Sequence, residues 1–121
     1  MNEIELEKIK QKALEEKIPI IMDDTLEVID EILSKDKPEK ILEIGTAVGY
    51  SAICFSKYLK ENGRIDTIER EEDRVIQAKE NIQRAEVEKR INVLFGDAVE
   101  ILPTLKDKYD VIFIDAAKGK Y

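Results

Sequence analysis

Ile41-Leu42-Glu43-Ile44-Gly45-Thr46-Ala47-Val48-Gly49-Tyr50-Ser51 reads as an apolar strand that breaks into a glycine-punctuated turn and then a helix. Glycine has no Cβ and accepts positive φ, so such a turn can lay bare backbone against a ligand. At the carboxyl end of a first parallel strand, that is where open α/β sheets bind nucleotide-like molecules. The spacing is Gly-x-x-x-Gly, not the Gly-x-Gly-x-x-Gly of a dinucleotide site. Glu43 stands just before it, and its carboxylate would repel a pyrophosphate but not a cation. A sulfonium nucleoside, S-adenosylmethionine, is therefore favoured over a nicotinamide dinucleotide. The plainer alternative is an ordinary α/β turn with no ligand.

Outward from this turn the chain alternates strand and helix. Apolar runs predict strands at 40–44, 64–69, 91–95 and 109–114. A helix after Gly49 runs to about Lys60, where Asn62-Gly63 stops it. A charged helix over 71–84 places Val75, Ala78, Lys79 and Ile82 on its inner face, and a short helix follows Gly96-Asp97-Ala98 through Leu102. This alternation implies parallel pairing with right-handed crossovers, hence an α/β, Rossmann-like sheet over 38–121. Residues 1–37 form an accessory segment of two helices. The first, 3–17, carries Ile4, Ile9, Ala13 and Leu14; the second starts at a capping box, Asp24-Thr25-Leu26-Glu27, and reaches about Ser34. Between them Ile18-Pro19-Ile20-Ile21-Met22 is extended, because Pro19 pushes its neighbour out of helical space.

Composition narrows the function. A chain of 121 residues is one domain, small for a complete doubly wound enzyme. With 27 acidic residues against 20 basic, the net charge of −7 opposes non-specific nucleic-acid binding through this portion. A nucleic-acid substrate held by residues elsewhere stays open. The absence of histidine excludes imidazole catalysis and histidine metal ligation within this sequence. The single Cys54 cannot form an internal disulfide, which fits a reducing cytoplasm, and packing is its simplest role. No apolar run reaches the roughly 18 residues of a membrane span, and the acidic N-terminus is unlike a signal peptide.

Three more sites fall at strand ends. Glu69, twenty residues beyond Gly49, can take both ribose hydroxyls of a nucleoside, or it belongs to a solvated charge run, Glu69-Arg70-Glu71-Glu72-Asp73. Asp97 can cap the helix that follows or accept from an adenine amine, while Gly96 lets a flat base approach. Asp115, beside the point where the sheet order reverses, can bind a hard cation such as Mg2+ or satisfy backbone amides. Lys118 can reach the same place as a base, or be simply exposed.

Together the stretches EIGTAVGYSAI at 43–53, IER at 68–70, GDA at 96–98 and FIDAAKGKY at 113–121 resemble the cation-dependent O-methyltransferases, which include catechol and caffeoyl-CoA methyltransferases. The start IPIIM at 18–22 and the ending DAAKGKY are similar to bacterial tRNA 5-hydroxyuridine methyltransferases. The resemblance implies that Met22, Glu43, Gly45, Ser51, Glu69, Gly96, Asp97 and Ala98, with Thr46 and Gly49 of the turn, surround S-adenosylmethionine. It implies Asp115 as a metal ligand close to the cofactor and Lys118 as the base. The methyl acceptor would be a hydroxyl, on tRNA or on a catechol-like molecule, and the assembly a homodimer. The chemistry implied is an in-line transfer to an oxygen whose pKa a metal has lowered.

The same resemblance places two further metal ligands, an Asp and an Asn, beyond the next strand, past Tyr121. The continuous apolar run Val111-Ile112-Phe113-Ile114 is the pattern of a strand buried on both faces. The expectation is that residues 1–121 are the front half of a longer enzyme and inactive alone. A module that binds S-adenosylmethionine without catalysis, or pairs through its open sheet edge, is the rival reading.

Overall fold

A computed structural model describes residues 3–115. In chain order the elements are α1 (Glu3–Glu15), α2 (Asp23–Asp36), β1 (Lys40–Ile44), α3 (Tyr50–Ser56), β2 (Arg64–Glu69), α4 (Glu72–Arg84), β3 (Ile91–Phe95), α5 (Ala98–Ile101) and β4 (Val111–Ile114). A 3-10 turn at Leu102–Thr104 continues α5. All strand pairs are parallel, in the order β3-β2-β1-β4. The order reverses between β1 and β4, where Ile44 pairs with Ile114, as the strand–helix alternation predicts.

The two-residue period of a strand sends Ile41, Ile65 and Ile91 to one face, in one cluster with Ala52, Ile53 and Phe55 of α3 and Ala78 and Ile82 of α4. The stripe Val75, Ala78 and Ile82 is the buried side of α4. Every residue of α3 is buried, because α1 lays Leu6, Ile9 and Ala13 over its far side. Phe113 of β4 meets Phe55 edge-on, ring centres 5.3 Å apart and planes at 82°. Full burial of one such side chain is worth roughly 1.5–3 kcal/mol, so this face carries most of the fold's stability. On the opposite face Leu42, Ile44 and Ile68 pack with Ala98, flanked by Leu94, Ile101, Leu105 and Tyr109.

Several local expectations are corrected. β4 is buried on one face only: Ile112 and Ile114 remain 59% and 54% exposed, since among the described residues nothing covers that end of the sheet. It also starts at Val111; Asp110 instead anchors it, its Oδ2 accepting from the Glu39 and Lys40 amides at 2.8 and 3.1 Å. Those two amides hold the Asp110 carboxyl below its usual range. Helix α3 ends at Ser56, where bonds from the Tyr58 and Leu59 amides to Phe55 and Ser56 tighten the chain into turns. No capping box forms at Asp24: the N-cap of α2 is Met22, two residues earlier and without a side-chain bond, and Asp24 Oδ1 accepts from the neighbouring Thr25 amide. Lys79 lies outside the α4 stripe and is exposed. Ile4 and Leu14 also face outward, because the inward stripe of α1 is Leu6, Ile9 and Ala13.

Candidate functional site

The turn after β1 is built from unusual backbone. Gly45, Ala47 and Gly49 have φ of +101°, +51° and +88°, so three of five consecutive residues are left-handed. Such a segment needs outside support. The amides of Gly45 and Thr46 both donate to the Ile68 carbonyl, at 2.9 and 3.2 Å. The Ala47 amide donates to Glu69 Oε1 at 2.8 Å. Asn81 of α4 donates to the Val48 carbonyl at 2.9 Å. At Gly49 a Cβ would sit 3.4 Å from Ala78, so α4 approaches closely as well.

Beneath the turn, Glu43 has no solvent exposure. Thr67 donates to its Oε1 at 2.6 Å, and Ser51 donates to its Oε2. Thr67 also shares a 2.6 Å bond with Thr46. Burial pushes the Glu43 carboxyl up to about 7, against the two hydroxyl donors that favour its ionised form; nearby Asp115 and Glu69 add to the rise.

Glu69 ends β2 with its carboxylate clamped between two amides, Ala47 at 2.8 Å and Glu71 at 3.0 Å. It borders a cleft of about 320 Å3 over the strand tips, together with Pro19, Ile44, Gly45, Ile68, Arg70, Gly96 and Ala98. Gly96 has φ +149°, and a Cβ there would come within 2.8 Å of Ile101, so the backbone between β3 and α5 stays low at the cleft wall. Next to it, Asp97 Oδ1 accepts from the Val99 amide at 2.9 Å, the helix-capping role foreseen for it. A much smaller crevice continues past Gly45, lined by Ile20, Ile21, Thr46, Tyr50, Ser51 and Asp115. The Asp115 amide donates to the Ile44 carbonyl at 3.0 Å, which fixes it at the switch point.

The structure thus gathers Gly45, Glu69, Gly96 and Ala98 at the larger cleft and Thr46, Ser51 and Asp115 at the crevice, with Glu43 underneath. Gly49 and Asp97 shape the surroundings without lining either space, and Met22, 69% exposed at the head of α2, lines neither. Its neighbours Pro19, Ile20 and Ile21 are the ones that reach the site. Lys118 lies outside the described residues. Among the described residues no three His, Cys, Asp or Glu side chains converge on one point. Sequence reasoning missed Thr67, although a polar residue two positions before Glu69 shares its face of β2, and register sets it opposite Glu43.

A parallel sheet with this order and a glycine turn closing its first strand define the Rossmann-like fold of the class I methyltransferases. Residues 36–121 match the family model described as O-methyltransferase, and the chain belongs to that family. A catechol O-methyltransferase of Niastella koreensis is 39% identical over 87 residues, 69% of this chain and 39% of that protein. Two solved structures superpose with a TM-score of 0.85 at 30% identity, each covering 98% of this chain and 56% of the other: a Bacillus cereus O-methyltransferase in complex with S-adenosylhomocysteine, and TomG of Streptomyces achromogenes, an O-methyltransferase of tomaymycin synthesis in complex with S-adenosylmethionine. The chain therefore spans only part of its relatives, from 39% to 56% of their length.

Proposed function

We propose that this chain provides the cofactor site of an S-adenosylmethionine-dependent O-methyltransferase. The observation that carries the reading is Glu69: a buried carboxylate at the tip of β2, pre-oriented by the Ala47 and Glu71 amides and bordering a cleft of nucleoside size. Its fixed oxygens suit a ribose diol, and the adenine would lie along Gly96 and Ala98. The amino-acid end would run past Gly45 toward Thr46, Ser51 and Glu43, a stretch whose carboxylates favour an ammonium over a phosphate. The relatives crystallised with S-adenosylhomocysteine and S-adenosylmethionine support this choice of ligand.

The acceptor is a hydroxyl. A catechol-like molecule is supported by the curated relatives, and 5-hydroxyuridine in tRNA rests on the sequence resemblance alone. Asp115, at the switch point, is proposed as one oxygen ligand of Mg2+, which would polarise the acceptor oxygen when bound. Lys118, three residues on, is the proposed base, and residues 1–37 are a cover for the cofactor, with Pro19, Ile20 and Ile21 nearest to it. A homodimer in the cytoplasm completes the proposal; among the described residues no helix is long and apolar enough to cross a membrane.

A second reading is cofactor binding without transfer. Transfer of a labelled methyl group to catechol, or to tRNA bearing 5-hydroxyuridine, by the whole gene product rather than by residues 1–121 alone, separates the two. Product formed with Mg2+ and lost with EDTA is expected of the enzyme. Tight cofactor binding with no product under either condition would leave the module.

A further inference from the structure

We propose that Thr67 is a positioning residue for the amino-acid end of the cofactor, acting through Thr46 and Glu43. A threonine hydroxyl has one proton to give. With Glu43 ionised, Thr67 gives its proton to Glu43 Oε1 at 2.6 Å, and the 2.6 Å bond to Thr46 then runs from Thr46 to Thr67. The relay is therefore directed, Thr46 to Thr67 to Glu43, and Ser51 closes it by donating to the other carboxylate oxygen. Thr46 and Thr67 are 1% and 0% exposed, so each hydroxyl depends on its partner within the protein.

Two of these residues, Thr46 and Ser51, border the small crevice with Asp115, and neither borders the nucleoside-sized cleft. That cleft has its own anchors, the Ala47 and Glu71 amides on Glu69. Gly45 borders both spaces, so a ligand lying in the larger one and reaching past Gly45 would meet the residues of the smaller. Thr67 thus controls one end of the ligand and Glu69 the other, although they stand two residues apart on β2. The turn also carries its own reason to depend on the relay: three left-handed residues are held by few bonds, and the Thr46 side chain supplies one of them.

The inference rests on the cofactor reading above, and two ligands keep the two apart. S-adenosylhomocysteine carries the amino-acid end; 5′-methylthioadenosine lacks it. By calorimetry, Thr67→Val is expected to weaken S-adenosylhomocysteine by about tenfold or more. Methylthioadenosine should bind Thr67→Val within about twofold of wild type, and Thr67→Ser should recover S-adenosylhomocysteine to within about threefold. Equal losses for both ligands, or none for either, would overturn the role. If Thr67→Val does not fold, Thr46→Val removes the other end of the relay and leaves the Thr67–Glu43 bond; the same selective loss is expected, and a uniform loss or none overturns the proposal. A folded wild-type chain that binds neither ligand would instead overturn the cofactor reading itself.

Discussion

At the level of single side chains, Glu43 is a costly residue to bury. Its carboxyl titrates near 4.5 when unfolded and near 7 when buried, so the folded state holds its proton more tightly. Stability from this group is complete below pH 4.5 and is lost as pH rises through 7, a loss of roughly 3 kcal/mol by linkage. Glu43→Gln keeps an acceptor for one hydroxyl and removes the titration. Thermal midpoints from pH 5 to 8 should show the variant gaining on the wild type; parallel profiles would mean that folding does not raise the Glu43 pKa. A protein that accepts this penalty at neutral pH has a reason to keep a carboxylate there, and a cationic ligand end supplies one. The residue's importance was legible from its place before the glycines. Its partners were not, because Thr67 reaches it through β-sheet register, a relation between residues 24 positions apart.

Secondary elements divide cleanly between those the pattern settles and those that packing settles. Strands β1, β2 and β3 fall where the apolar pattern puts them. Helix ends were less legible. The last turn of α3 gives way to tight turns, and the start of α2 is set by Met22, which offers no side-chain cap to recognise. Lys79 looked inward by spacing, yet the Val75–Ala78–Ile82 stripe already fills the contact. The turn after β1 is legible as a turn, but Ala47 at φ +51° is not, because only its bond to Glu69 makes that backbone tolerable. Gly49→Ala tests the turn directly. Its Cβ would meet Ala78 at ordinary contact distance, so the cost is the φ of +88°, about 1–2 kcal/mol in chemical denaturation. A variant as stable as wild type would show that the turn relaxes freely.

For the whole molecule, strand–helix alternation was enough to predict parallel pairing with right-handed crossovers and a switch point beside Asp115, while the order of the strands came only with the structure. Which faces are covered is a different matter. The run Val111–Ile114 alternates between Phe113 against Phe55 and outward-facing Ile112 and Ile114, a division that depends on neighbours rather than on the run itself. The sheet's function follows from its carboxyl edge, where β1, β2 and β3 present Gly45, Glu69 and Gly96 to one cleft and β4 brings Asp115 to the crevice beside it. A crystal structure of the chain with S-adenosylhomocysteine examines this arrangement at once. The account predicts both ribose hydroxyls on Glu69, the adenine along Gly96 and Ala98, and the sulfur directed toward Asp115. A nucleoside bound elsewhere, or in that cleft with its ribose away from Glu69, would contradict it.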